Sequence, residues 1–356
     1  MVKQRFRATS YDVAEAAGVS QSTVSRALSG DPIVAAATRE RIVEAARRLN
    51  YHIDSSASRM RSGRLNTIAV VVICPEDEDV RAFNPFHYAL LGGICAAASA
   101  RGMETIVSFQ GAPDRLDDHF ERSRRAIGMI VFGTSENRAA WDYFQASADD
   151  GCHVVCWGAP APAHELPWVR ADNHGGARAA VNHLLDHGYR RIVYVGEADC
   201  PQRQFAERYD AYAETLQAAG LAPRIMTLEP GHSRHEQGRR AAAALIDAGE
   251  PFDGLFTACD DIALGAMALL EERGLNVPGD VGVVGFDGVK AGQFSVPPLT
   301  TIEPDFAVAG QRLVDRLQAL VDGEEGPQDR GPPRRAGQRF GAGRHACLKS
   351  HWPEAT

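Results

Sequence analysis

Residues 9–51 read TSYDVAEAAGVSQSTVSRALSGDPIVAAATRERIVEAARRLNY, a pattern of two short helices around a tight turn followed by a third, longer helix. Thr9 or Ser10 can accept hydrogen bonds from the backbone N–H groups that open a first helix, along which Val13, Ala14 and Ala17 recur at helical spacing. Gly18 ends that helix, because a residue without Cβ enters left-handed backbone at no steric cost. Ser20 can cap a second helix whose Val24, Ala27 and Leu28 point inward. Its other face carries Gln21, Ser22 and Arg26, side chains suited to a DNA major groove: Gln pairs with adenine through both amide groups, Arg with guanine O6 and N7, and Ser with a donor or an acceptor. Ala14, Ala17 and Gly18 are small enough to let the two helices cross closely and project the second into a groove. A helical hairpin with no nucleic acid would show the same apolar pattern.

The chain has 356 residues, 44% hydrophobic and 24% charged, a soluble globular balance over more than one domain. No run reaches the roughly 18 apolar residues of a membrane helix. The polar start MVKQRFRATSYD lacks the apolar region of a secretory signal, so a cytoplasmic protein is expected. Seven cysteines show no metal-type spacing, Cys152 and Cys156 forming only a CxxxC, and they read as reduced thiols. The net charge of −8 is unevenly placed. Residues 1–64 hold eleven Lys or Arg against six Asp or Glu, and residues 329–356 hold six against two, so the acidity lies in the body between them. A basic head on an acidic body favours phosphate contact through one surface.

DVAEAAGVSQSTVSRAL followed by TRERIVEAARRLNY resembles the amino-terminal signature of the lactose-repressor/galactose-repressor (LacI/GalR) family of bacterial transcriptional regulators. The resemblance implies that the second helix reads operator bases, at Gln21, Ser22 and Arg26. A third helix is expected after Asp31 and Pro32, with Ile42, Ala46 and Leu49 inward and Arg39, Arg41, Arg47 and Arg48 facing water or phosphate. The following HIDSSASRMRSGRLN is polar and basic and reads as a linker over residues 52–64. In the family this segment becomes a hinge helix on DNA whose leucine wedges into the minor groove. Met60 stands at that leucine's place and Ala57 at the small residue before it, while Arg59, Arg61 and Arg64 can reach phosphates. Ile53, Asp54 and Ser58 depart from the usual proline, asparagine and arginine, and Asp54 adds negative charge beside DNA.

From Thr67 onward, TIAVVVI, METIVSF, GMIVFG, HVVCWG, RIVYVG, GLFTAC and VGVVGFD each read as a strand buried on both faces, as in a parallel sheet. Helix-length segments between them stop at Gly102, Gly151, Gly188, Gly220, Gly249 and Gly274. Such alternation over residues 65–328 exceeds one sheet, so the expected fold is an all-α helix-turn-helix head plus an α/β core of two doubly wound parallel-sheet subdomains with a ligand cleft between them.

NPFHYALLGGI from Asn84, ADNHGGARAAVNHLLDHGYRRIVYVG from Ala171, DDIALGAMALLEERGLNVPGDVGVVGFD from Asp260 and PPLTTIEPDF from Pro297 resemble the periplasmic-binding-protein-like sensor core of the same family. The resemblance implies a small-molecule effector, often a sugar or metabolite, that changes operator affinity. Its contacts carry over to Phe86, Arg208 and Asp287, with His232 where an aromatic ring often stacks and Cys259 where an asparagine is common. Arg208 and Asp287 suit a hydroxylated ligand, one donating and one accepting. The alternative is a structural ion pair across the cleft.

No phosphate loop, HExxH or GxSxG is present, and no cofactor is expected. His183, Asp186 and His187 lie one helical turn apart, yet read as surface or packing residues rather than a metal site. The expectation is a homodimeric repressor binding double-stranded operator DNA as an inverted repeat, with a cytoplasmic solute receptor as the rival and an enzyme on the same core as a second. Residues 329–356 contain no Val or Ile, and twelve of the 28 are Gly, Pro or Arg, so no strand or helix face is expected there. A basic tail with phosphate contacts is one reading. A reading-frame change near Gln328 is the other, leaving the second subdomain's sheet short of an edge strand.

Overall fold

The computed structural model describes residues 8–28, 31–49, 51, 65–76, 84–158, 165–199 and 203–324, and the backbone of 338–341. The chain divides into two compact units, Met1–Leu65 and Asn66–Thr356.

In the first unit α1 (Ser10–Ala17), α2 (Gln21–Leu28) and α3 (Ala36–Arg48) enclose a small core. Val13 and Ile42 are fully buried, joined by Val24, Ala27, Val34 and Ala45. Burial of each large aliphatic side chain of this kind stabilises by about 1.5–3 kcal/mol. Of the two possible caps for α1, Thr9 is the one used: Asp12 N–H bonds to its hydroxyl and Thr9 N–H to the Asp12 carboxylate, a reciprocal capping box. Gly18 then turns the chain at φ +62°, and Ser20 accepts from Thr23 N–H to open α2. Arg39 differs from the expectation of a solvated side chain, because it is half-buried and donates to the carbonyls of Asp31 and Val34, closing the turn before α3.

The second unit holds two sheets built on one plan. β1 (Thr67–Ile73), β2 (Glu104–Gln110), β3 (Met129–Gly133), β4 (Val154–Trp157) and β5 (Trp168–Val169) form an all-parallel sheet in the order β2-β1-β3-β4-β5. β6 (Ile192–Val195), β7 (Ile225–Met226), β8 (Gly254–Thr257), β9 (Gly282–Phe286) and β10 (Thr300–Pro304) repeat that order as β10-β9-β8-β6-β7. Helices alternate with the strands: α4 (Pro85–Ala100), α5 (Arg138–Asp149), α6 (Asn173–Asp186), α7 (Arg203–Ala218), α8 (Arg234–Asp247), α9 (Asp260–Glu272) and the short α10 (Lys290–Phe294). The six glycines expected to end helices all have φ between +67° and +92°.

The last helix, α11 (Phe306–Val321), leaves the second sheet and packs on the first subdomain against α4, with Leu313, Val314 and Leu317 beside Leu90 and Ile94. The crossing is close because Gly93 and Gly310 face each other; a Cβ on Gly310 would stand 2.2 Å from the Gly93 carbonyl oxygen.

Two strand expectations are corrected. β2 is not buried on both faces: Val107 and Phe109 are exposed, since β2 is the sheet's outer strand. The tail does supply a strand, for β11 (Gln338–Gly341) pairs antiparallel with β10 from Thr301 to Pro304. The open edge of β10 pairs through backbone N–H and C=O groups, which no apolar side-chain pattern reports. The other residues of 329–356 lie outside the described residues.

Candidate nucleic-acid interface and effector cleft

On α2 the inward Val24 and Ala27 leave Ser22, Ser25 and Arg26 on the exposed face. Ser25 was missed by the sequence reading, although its spacing of three from Ser22 places it on the same face as Ser22. Gln21 differs from its two partners: it is half-buried, and its Nε2 donates to Ser10 Oγ at 3.3 Å, tying the start of α2 to α1. Ala57 and Met60, with Ile53, Asp54 and Ser58, lie outside the described residues.

In the core, the groups expected to meet an effector stand at the carboxyl ends of the strands, where doubly wound sheets bind ligands. The two subdomains approach each other there, since Arg234 at the start of α8 lies 3.5 Å from Glu136 in the loop after β3. Phe86, near the start of α4, joins an aromatic cluster of the first subdomain, its ring centroid 5.1 Å from Phe306 and 6.2 Å from Trp157. Asn84 caps α4 by accepting from Phe86 N–H at 2.9 Å.

The second subdomain gathers Arg208, Asp287 and Cys259. Arg208 is 4% exposed and donates from Nε to Asn173 Oδ1 at 3.1 Å, from Nη1 to the Ala258 carbonyl, and from Nη2 to Asp287 Oδ1 at 3.4 Å. Its guanidinium also lies 3.6 Å from the ring centroid of Phe286. Asp287 follows β9 with φ +118°, a region that a side chain rarely enters, and its N–H is held by the Ile302 carbonyl at 2.8 Å. Burial pushes its carboxyl up to about 7, against the opposing pull of Arg208. Both residues belong to the second subdomain, so the alternative of an ion pair across the cleft is corrected to an ion pair within that subdomain.

Asp260 carries a buried carboxylate that the sequence reading did not single out. It accepts from Thr301 Oγ1 at 2.5 Å and from Val289 N–H at 2.7 Å, pinning the turn that presents Asp287. Burial raises its pKa well above the usual carboxylate range, with the charge of Asp287 adding to the effect. Cys259 is 2% exposed, and burial raises its thiol, leaving a weak neutral donor. His232 is exposed in the turn before α8.

One metal-type cluster among the described residues, and the His183 and His187 pair, are engaged within the fold. Asp117, Asp118 and His119 bring donor atoms within 4.8 Å of one another, but Asp118 accepts from Tyr143 Oη at 2.9 Å and faces Arg122. His187 Nδ1 is 2.7 Å from the His183 carbonyl oxygen, closing the end of α6. Among the described residues, no helix is long and apolar enough to cross a membrane.

The family model for bacterial regulatory proteins of the lacI family matches residues 9–54, and that for a periplasmic binding protein-like domain matches residues 181–335. The transcriptional repressor CytR of Escherichia coli K12 is 30% identical over 326 residues, 89% of this chain and 92% of CytR. The chain belongs to the lacI family. The regulator CelR of Thermobifida fusca is 29% identical over 330 residues, covering 91% of this lacI-family chain and 94% of its own. A crystal structure of the lac repressor dimer bound to operator and an anti-inducer matches with a TM-score of 0.69 at 26% identity, over 90% of this chain and 94% of that one. A CelR–cellobiose complex matches with a TM-score of 0.60 at 26% identity, over 90% and 95%.

Proposed function

We propose that this lacI-family regulator is a homodimeric repressor whose heads read an inverted-repeat operator and whose core changes operator affinity when a small hydroxylated metabolite occupies the cleft. The observation that carries the reading is the outward face of α2, where Ser22 and Arg26 stand exposed over a separately packed helical unit. Arg26 reads guanine, Ser22 a neighbouring base edge, and Gln21 reaches adenine once it exchanges Ser10 for DNA. Met60 and Ala57 in residues 52–64 act as the minor-groove wedge and its small neighbour. Two copies related by a twofold axis require a palindromic site. Phe294 and Val296, 79% and 83% exposed, offer apolar surface to the second copy. A protein that works on operator DNA works in the cytoplasm, as a regulator and not as an enzyme.

The effector class follows from the state of the fork. Three of the five Arg208 N–H groups already have protein acceptors and Asp287 stands against the guanidinium, which leaves two N–H groups to donate to ligand hydroxyls and disfavours a phosphate or carboxylate there. A neutral, hydroxyl-bearing molecule can donate to Asp287 and lay an apolar face on Phe86, with His232 at the rim and Cys259 replacing a stronger amide contact. The relative solved with cellobiose holds a ligand of this kind. Mobility-shift assays with DNA upstream of the protein's own gene, with and without cellobiose, other neutral sugars and polyols, test the reading. Specific retardation altered by one of these compounds supports it, and no specific retardation of any fragment overturns it.

A further inference from the structure

Asn173 opens α6 directly after the crossover that carries the chain from β5 into the second subdomain. It is 4% exposed, and both ends of its amide are in use. Oδ1 accepts from Arg208 Nε at 3.1 Å, while Nδ2 donates to Glu207 Oε2 at 3.1 Å. Its two partners are consecutive residues of α7, one cationic and one anionic. An amide, with an acceptor and a donor on one planar group, satisfies both. The other oxygen of Glu207 takes Arg170, a residue of the crossover itself. Arg170 in turn lies 4.5 Å over the ring of Trp168 in β5. A continuous chain of contacts therefore runs from the crossover through Glu207 and Asn173 to Arg208 and Asp287.

We infer that Asn173 is a positioning residue for Arg208 and that, through Glu207 and Arg170, it ties the effector arginine to the crossover between the subdomains. A guanidinium keeps its charge in folded proteins, so a buried fork needs acceptors on its N–H groups. The Ala258 carbonyl and Asp287 hold the tip of the fork, and Asn173 at Nε fixes its plane. Any rotation of the subdomains that moves the crossover displaces Arg170, and Glu207 passes that displacement to the Asn173 amide. Coupling of this kind requires more than adjacency, and substitution at one end must be felt at the other. The role of Arg208 toward an effector is taken from the proposed function, whereas the network itself can be measured without a ligand.

The test uses the full-length protein with ¹⁵N-labelled arginine, following solvent exchange of the Arg208 Nε–H by NMR and of backbone amides in residues 168–174 by mass spectrometry. Asn173→Ala should speed both exchanges by at least about tenfold, the scale of a lost local protection of about 1.4 kcal/mol. Asn173→Asp keeps an acceptor for Arg208 Nε but sets a carboxylate against Glu207, so Nε–H should stay protected while the crossover amides exchange faster. Arg208→Met should also speed the crossover amides. Unchanged Nε–H protection in Asn173→Ala, or unchanged crossover exchange in Arg208→Met, overturns the inference. If Asn173→Ala loses the second sheet, Asn173→Asp decides alone: wild-type exchange at the crossover contradicts the tie. Loss of these contacts with operator binding intact leaves the proposed function standing, and failure of operator binding leaves the network measurable.

Discussion

Arg208 Nη2 and Asp287 Oδ1 lie 3.4 Å apart, both within the second subdomain and both side chains less than a tenth exposed. Under the proposed function, a ligand entering the cleft meets a fork already held by protein acceptors. It does not have to break a tie between subdomains to bind. Between the subdomains, Arg234 and Glu136 form a more exposed pair at 3.5 Å, which water screens.

Stability should depend on the protonation of Asp287. Its carboxyl is raised by burial to about 7, so between about pH 4 and pH 7 the folded protein binds a proton that the unfolded chain has released. Stability from this group is therefore full below about pH 4 and is lost as pH rises through 7. Asp287→Asn removes that dependence, and urea unfolding should show the variant gaining on the wild type as pH is raised over this window. Parallel pH profiles would contradict the assignment.

A second variant at this position separates two roles. Operator binding by the head should survive Asp287→Ala while the response to an effector is lost, because the acceptor is gone and a ligand shifts an equilibrium only through its differential affinity for two states. Mobility-shift titrations with and without the responding compound check this.

Removing the capping box on α1 should weaken the head alone. Thr9→Ala deletes the acceptor for Asp12 N–H and should cost about 0.5–2 kcal/mol of head stability. Hydrogen exchange should speed in residues 10–28 and remain unchanged in β6, β8 and β9.

Gly310→Ala should act on the first subdomain. The added methyl meets the Gly93 backbone at 2.2 Å, a contact that cannot be relieved by a side-chain rotation. A loss of about 1–3 kcal/mol is expected from such overpacking, measured by urea unfolding. An effect under a few tenths of that scale would show that α4 and α11 separate freely.

What the sequence makes legible follows from burial. β1, β3, β4, β6, β8 and β9 read correctly because their apolar runs lie between helices. β5 and β7 have two residues each, too few for any pattern, and β10 carries Glu303 and Pro304, which argue locally against a strand. On α2 the helical period separates Val24 from Arg26, yet nothing local reports that Gln21 turns back to Ser10. Asn173 and Arg208 are 35 residues apart, and Asp260 and Thr301 are 41, so only the fold brings these pairs together.

The most direct measurement of the central claim is selection and sequencing of DNA bound by the wild-type protein and by Arg26→Ala. The wild type should select an inverted repeat, and the variant should lose preference at one position in each half-site, by about 1–3 kcal/mol per bidentate contact. Selection of no palindrome, or the same base preference in both proteins with only a uniform loss of affinity, would contradict the claim that α2 reads the operator through Arg26.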